Sequence, residues 1–160
     1  MAISFDTDHN PIVGKAEKLE DDLVVITADN ASPMTFTGTR TYILGTENLI
    51  VIDPGPNSEA HLSSIMKYIG KRKVTDILLT HSHIDHSPLS RQLKTETGAR
   101  IIGFGSADEA RTSFMKKLSS SLDLGGEEGI DKDLLLDKKV YNKQILKLNN
   151  YSIEVVHTPG

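Results

Sequence analysis

Apolar positions fall in short bursts along the chain, and their spacing switches between two periods. Leu23-Val24-Val25-Ile26-Thr27 is a β-rich run that ends at the turn-forming Asp29-Asn30-Ala31-Ser32-Pro33. Thr41-Tyr42-Ile43-Leu44 and Leu49-Ile50-Val51-Ile52 flank Gly45-Thr46-Glu47-Asn48 and read as a hairpin, closed by Asp53-Pro54-Gly55-Pro56 because proline cannot donate to a ladder. The period then becomes helical. Leu62, Ile65, Met66 and Ile69 recur at i, i+3, i+4 and i+7, with Gly70 where a helix C-cap belongs.

Val74 to Thr80 predicts a buried strand running directly into His81. Ser87 and Pro88 read as the N-cap and first residue of a helix that stops at Gly98. Arg100 to Phe104 is the next strand, and Ser106 with Glu109 matches a capping box for a helix to about Leu118. Ser119 to Asp133 is rich in Ser, Gly and acidic residues and predicts a mobile surface loop. Leu134–Leu136, Gln144–Leu148 and Ser152–Val156 predict closing antiparallel strands, with Asn149-Asn150 as a turn. The order of elements implies a mixed α/β layer protein, in one domain over residues 1–160.

Composition adjusts this picture little. A chain of 160 residues with 38% hydrophobic and 25% charged positions has enough apolar content to bury a core. The net charge of −4 argues against a broadly basic nucleic-acid footprint. Lys71-Arg72-Lys73, Lys116-Lys117 and Lys138-Lys139 are read as solvated surface charge. With no cysteine, thiolate metal sites and disulfide-linked partners are excluded. No apolar run nears the ~18 residues of a membrane span, and no secretory h-region is seen, so a soluble cytoplasmic protein without a membrane partner is expected.

The candidate chemistry lies at the end of the Val74–Thr80 strand, in His81-Ser82-His83-Ile84-Asp85-His86. In an extended segment His81 and His83 project to one side and can converge on one ion. Asp85 and His86, at the turn into the following helix, can reach a second position. Imidazole and carboxylate donors suit zinc, manganese, iron or nickel. His157, after the apolar run Ile153-Glu154-Val155-Val156, would complete a three-histidine set with His81 and His83, and a catalytic zinc commonly takes three protein ligands. His9 and His61 are read as surface residues.

These residues also carry a resemblance. Thr80 to His86 matches the HxHxDH signature of the metallo-β-lactamase-fold hydrolases. Val51-Ile52-Asp53-Pro54-Gly55 resembles that family's upstream aspartate motif, and His157-Thr158-Pro159-Gly160 the start of its later His-Thr-Pro-Gly-His segment. The stretch Thr37 to Leu44 resembles the β-lactamase-like protein 2 branch, several members of which act on RNA. The resemblance implies an αββα sandwich, of which mainly the N-terminal half is present. It implies a first metal on His81, His83 and His157, a second that uses Asp85 and His86, and Asp53 as a residue orienting the histidine loop. Zinc is the expected metal, with two ions in a complete domain, and manganese or iron as alternatives.

The implied reaction is attack by a metal-bound hydroxide on a phosphodiester (RNA) or an ester or thioester, with Asp85 as the catalytic residue. A glyoxalase II-like thioesterase and a non-catalytic metal-binding or interaction module are the alternatives. Two departures stand out. Ser87-Pro88-Leu89 replaces the glycines of many relatives, and the sequence stops before the family's next histidine, its bridging aspartate and its final histidine. The expectation is an N-terminal part of a longer hydrolase, inactive or nearly so alone, whose uncovered sheet surface could pair copies into a homo-oligomer.

Overall fold

The computed structural model describes residues 8–114, 117 and 129–158. Seven strands form one sheet in sequence order: β1 (Ala16–Glu20), β2 (Leu23–Thr27), β3 (Arg40–Leu44), β4 (Asn48–Ile52), β5 (Lys73–Leu78), β6 (Arg100–Gly103) and β7 (Lys138–Lys139). The first four pair antiparallel, and β4 through β7 run parallel. Parallel neighbours need crossovers. Helix α1 (Glu59–Ile69) joins β4 to β5, and α2 (Leu89–Thr97) joins β5 to β6. A second sheet, the antiparallel hairpin β8 (Ile145–Leu148) and β9 (Tyr151–Glu154), lies apart from the first in hydrogen bonding.

Alternation along β4 divides the core. Leu49 and Val51 join the cluster holding Leu62, Ile65 and Ile69 of α1 and Leu89 and Leu93 of α2. Ile50 and Ile52 face the other way, into the cluster of Ile102, Val140, Leu146 and Leu148. Successive strand residues point to opposite faces, so the sheet is covered by helices on one side and by the β8–β9 hairpin on the other. The layers helix, sheet and second sheet follow the expected sandwich. A register shift between Leu49 and Ile50 opposite β5 leaves Val74 and Ile77 both in the helix-side cluster. Among the described residues no helix is long and apolar enough to cross a membrane.

The α1 reading holds, with Ser58 accepting from the His61 amide as N-cap and Gly70 closing the helix at φ 60°. Several expectations do not. Strand β1, too polar to stand out, was not anticipated. Pro88 is the N-cap of α2 and caps with no side chain, because the Ser87 hydroxyl is used elsewhere. Leu134–Leu136 is not a strand; Leu134 and Leu136 pack on the helix-side core, and the short strand that follows, β7, is parallel to β6. The Ser106–Glu109 capping box is present, but its helix α3 spans only Ala107–Ala110. Arg111 and Thr112 interrupt the helix, Ser113, Phe114 and Lys117 are helical again, and positions 115, 116 and 118 of the expected helix, with most of the Ser119–Asp133 loop, lie outside the described residues. His61, read as a surface residue, is 3% exposed, since it sits on the inward face of α1.

Candidate metal centre

The parallel arrangement places the carboxyl ends of β4 and β5 side by side, so Asp53 meets Thr80 and the histidine loop. The Asp53 amide donates to the Leu78 carbonyl at 2.9 Å, and its φ of 49° is left-handed, a conformation Asp tolerates better than most residues. That bend turns the buried carboxylate toward the loop. Oδ1 accepts from the Thr80 amide at 2.8 Å; Oδ2 accepts from the Thr80 hydroxyl at 2.5 Å and pairs with His86 Nδ1 at 2.9 Å. From the other side, Thr41 Oγ1 donates to the Asp53 carbonyl at 2.8 Å and contacts His61 Nε2 at 2.8 Å.

Proton counting assigns the ring nitrogens. An ionised carboxylate only accepts, so His86 Nδ1 carries hydrogen and its Nε2 is left for another role. Thr80 has one hydroxyl proton, given to Asp53, so its oxygen accepts from His81 Nδ1 at 2.8 Å. His81 Nε2 is thereby left unprotonated and accepts from His83 Nδ1 at 3.1 Å. His86 Nε2 lies 3.1 Å from Asp85 Oδ2, which also accepts from Thr39 Oγ1 at 2.9 Å. Asn30 Nδ2 donates to Thr39 Oγ1 at 3.0 Å, tying Asp85 to the loop before β3.

The electrostatics follow from these neighbours. Desolvation lowers the His81 pKa, and His86 and His83 lower it further against the pull of Asp53 and Asp85. For His86 desolvation also acts downward, but the hydrogen bond to Asp53 and the charges of Asp53 and Asp85 outweigh it and raise the pKa. His81 is thus biased to its neutral form, beside a carboxylate-flanked His86.

One ligand atom each from Asp53, His81 and His86 lies within 4.8 Å of the others, a grouping able to hold a cation. The Asp53 carboxylate already accepts three hydrogen bonds, from the Thr80 amide, the Thr80 hydroxyl and His86 Nδ1. Of the motif's donors, His81 and His86 fall in that grouping; with the His83 ring and Asp85 beside them in the chain, the nitrogen and oxygen chemistry suits a borderline divalent ion. His157 lines the same cavity as His81 and His83, a space of about 770 Å³ otherwise walled largely by aliphatic side chains such as Ile52, Leu78 and Ile153. Its ring stacks on Phe104 with centroids 4.1 Å apart. The sequence pattern did not single out Thr39, Thr41 or His61 as parts of this network, and of its hydroxyl residues only Thr80, adjoining the motif, carried a local signal.

Gly38 sets the approach to Thr39. Its φ is 116°, and a Cβ there would lie 2.3 Å from the Ala28 carbonyl oxygen, a backbone atom that cannot swing away. Gly38→Ala is expected to cost about 3 kcal/mol in a urea titration.

A family model described as the Metallo-beta-lactamase superfamily matches residues 34–160. A hydroxyacylglutathione hydrolase, GloC, of Haemophilus influenzae is 32% identical over 116 residues, covering 71% of this chain and 51% of the relative. A β-lactamase-like protein 2 homolog of Drosophila melanogaster is 30% identical over 159 residues, covering 93% of this chain and 49% of the relative. The chain thus spans about half the length of these curated relatives. The crystal structure of BJP-1, a subclass B3 metallo-β-lactamase of Bradyrhizobium japonicum, superposes with a TM-score of 0.65 at 21% identity, over 97% of this chain and 55% of that one. At that identity the likeness concerns the fold.

Proposed function

Since the chain belongs to the metallo-beta-lactamase superfamily, we propose that it is a metal-dependent hydrolase, most simply a zinc enzyme, acting on an ester or thioester. The observation that carries this reading is the Asp53–Thr80–His81 hydrogen-bond chain, which leaves His81 Nε2 as a lone pair beside His83 and an aliphatic-walled cavity. His81, His83 and His157 would hold one ion, and Asp85 with His86 would contribute to a second. Such ions, when bound, supply an activated water and charge stabilisation at the attacked oxygen. The chain's own part is positional. Asp53 fixes the tautomers of His81 and His86, and Thr39 orients the Asp85 carboxylate, whose second oxygen can accept a proton from the attacking water.

The aliphatic wall favours an acyl group over a polyanionic backbone, and similarity to a hydroxyacylglutathione hydrolase points to the same thioester chemistry. A net charge of −4 adds no attraction for RNA. The test is a panel of acyl-glutathione thioester, RNA oligonucleotide and lactam, run on the whole protein together with elemental analysis for metal. Thioester turnover that is lost on chelation and regained with zinc is expected. RNA cleavage with the thioester untouched would overturn the substrate class; turnover indifferent to chelation would overturn the metal.

A further inference from the structure

Outside the motif, a short strap crosses the histidine loop. The Asp131 amide donates to the Ser82 carbonyl at 2.8 Å, the Ile84 amide donates to the Gly129 carbonyl at 2.9 Å, and His83 forms a β-bridge with Ile130. Residues 129–131 therefore pair with the loop in the manner of an added strand. This overturns the expectation that the Ser119–Asp133 stretch is mobile surface as far as Asp133: Asp131 is only 8% exposed.

The buried side chain explains the pairing. Asp131 Oδ2 accepts from Ser87 Oγ at 2.8 Å, and both its carboxylate oxygens accept from Arg91 Nη1, at 2.9 and 2.8 Å. Ser87, fully buried, also lies 3.1 Å from the His83 carbonyl through the same hydroxyl. That carbonyl accepts from the His86 and Ser87 amides as well, each at 3.0 Å. A buried carboxylate without partners would be costly, so the charge of Arg91 and the hydroxyl of Ser87 are what keep Asp131 in place. Through Ser87 it grips the turn whose two ends carry His83 and His86.

We propose that Asp131 is a positioning residue of the metal centre, holding the His83–Ser87 turn through the Ser87 hydroxyl so that His83 and His86 keep their relative placement. The proposal rests on the metal reading above. Nothing in the HxHxDH pattern contains Asp131, and it acts through Ser87, whereas Asp53 works on the ring nitrogens of His81 and His86.

The experiment compares Ser87→Ala, Asp131→Ala and Asp131→Asn by zinc competition titration, the cobalt(II) visible spectrum and urea denaturation. Ser87→Ala is expected to weaken zinc binding by about 10-fold or more and to alter the cobalt spectrum. Asp131→Asn keeps an oxygen for Ser87 but loses the ion pair with Arg91, so it is expected to lose stability while holding zinc near the wild-type level. Asp131→Ala should lose both, and the Ser87→Ala, Asp131→Ala double variant should lose no more zinc affinity than the worse single one. Ser87→Ala within about twofold of wild type in zinc affinity would overturn the proposal, as would equal zinc losses in Asp131→Asn and Asp131→Ala. If Asp131→Ala does not fold, the other two variants decide. Wild-type protein that takes up no zinc would overturn the metal reading itself. Amide exchange at Ile84 in the metal-free variants then reports separately on the strap, with loss of protection in Ser87→Ala expected and unchanged protection counting against it.

Discussion

Replacing Asp53 by alanine is expected to destabilise the protein by roughly 3–5 kcal/mol and to weaken zinc binding by about 10–100-fold. Both effects come from one carboxylate. Its removal strands the Thr80 amide and His86 Nδ1 as unpaired donors in a region where Asp53 itself is only 5% exposed. It also frees the Thr80 hydroxyl to donate to His81 Nδ1, allowing His81 to adopt the other tautomer with Nε2 protonated. Alanine adds a penalty of about 1 kcal/mol at the left-handed φ of 49°. Asp53→Asn separates the parts: it tolerates that backbone and keeps an acceptor for Thr80, so its stability loss should be about half that of alanine. The checks are urea midpoints and zinc competition. An alanine variant that binds zinc like wild type would exclude Asp53 as organiser.

The second large effect is on pH. Burial depresses the His61 pKa from 6.5 to about 4. Thr41 spends its hydroxyl proton on the Asp53 carbonyl, so His61 Nε2 must donate to Thr41, and Nδ1 is buried without a partner. Protonation would place a charge there with nothing to receive it. The sign follows: between pH 6.5 and 4 the unfolded chain binds a proton that the folded one refuses. Stability should therefore fall on acidification by up to about 1.4 kcal/mol per pH unit, reaching about 3 kcal/mol near pH 4. His86 has the opposite sign, since its folded pKa is raised. Its contribution is full below pH 6.5 and lost as pH climbs through the folded value. Carboxylates titrate in the acid range too, so the quantity to measure is the difference between wild type and His61→Gln across pH 4.5 to 7.5. A pH-independent difference would show that His61 titrates normally.

The sequence made the sheet and its two covering helices readable because apolar period is a local property. Leu62, Ile65 and Ile69 mark the face of α1, and the glycines that stop α1 and α2 stand where the periodicity ends. Strand β7 was missed because two lysines carry no apolar signal; it exists because Asp137 bonds to the backbone of β6 and leads the chain alongside. The histidine loop was equally plain, being contiguous. What was hidden are groups brought in from elsewhere. His61 looked like a surface residue because a helix pattern of four apolar positions does not say how wide the buried face is. Ser87 looked like a helix cap, and Asp131 like a solvated acid in a polar loop, since neither sequence window contains the other.

Four of the five candidate ligands, His81, His83, Asp85 and His86, are neighbours in the chain, whereas His157 and the arranging residues Asp53 and Asp131 are remote. An unfolded polypeptide thus already carries much of the chelating capacity of the folded one. Excess zinc should stabilise the native state by less than its affinity alone suggests, because the denatured state is also a ligand-binder. Refolding is expected to give more uniform protein when a chelator is present first and metal is added after the β4–α1–β5 unit has closed.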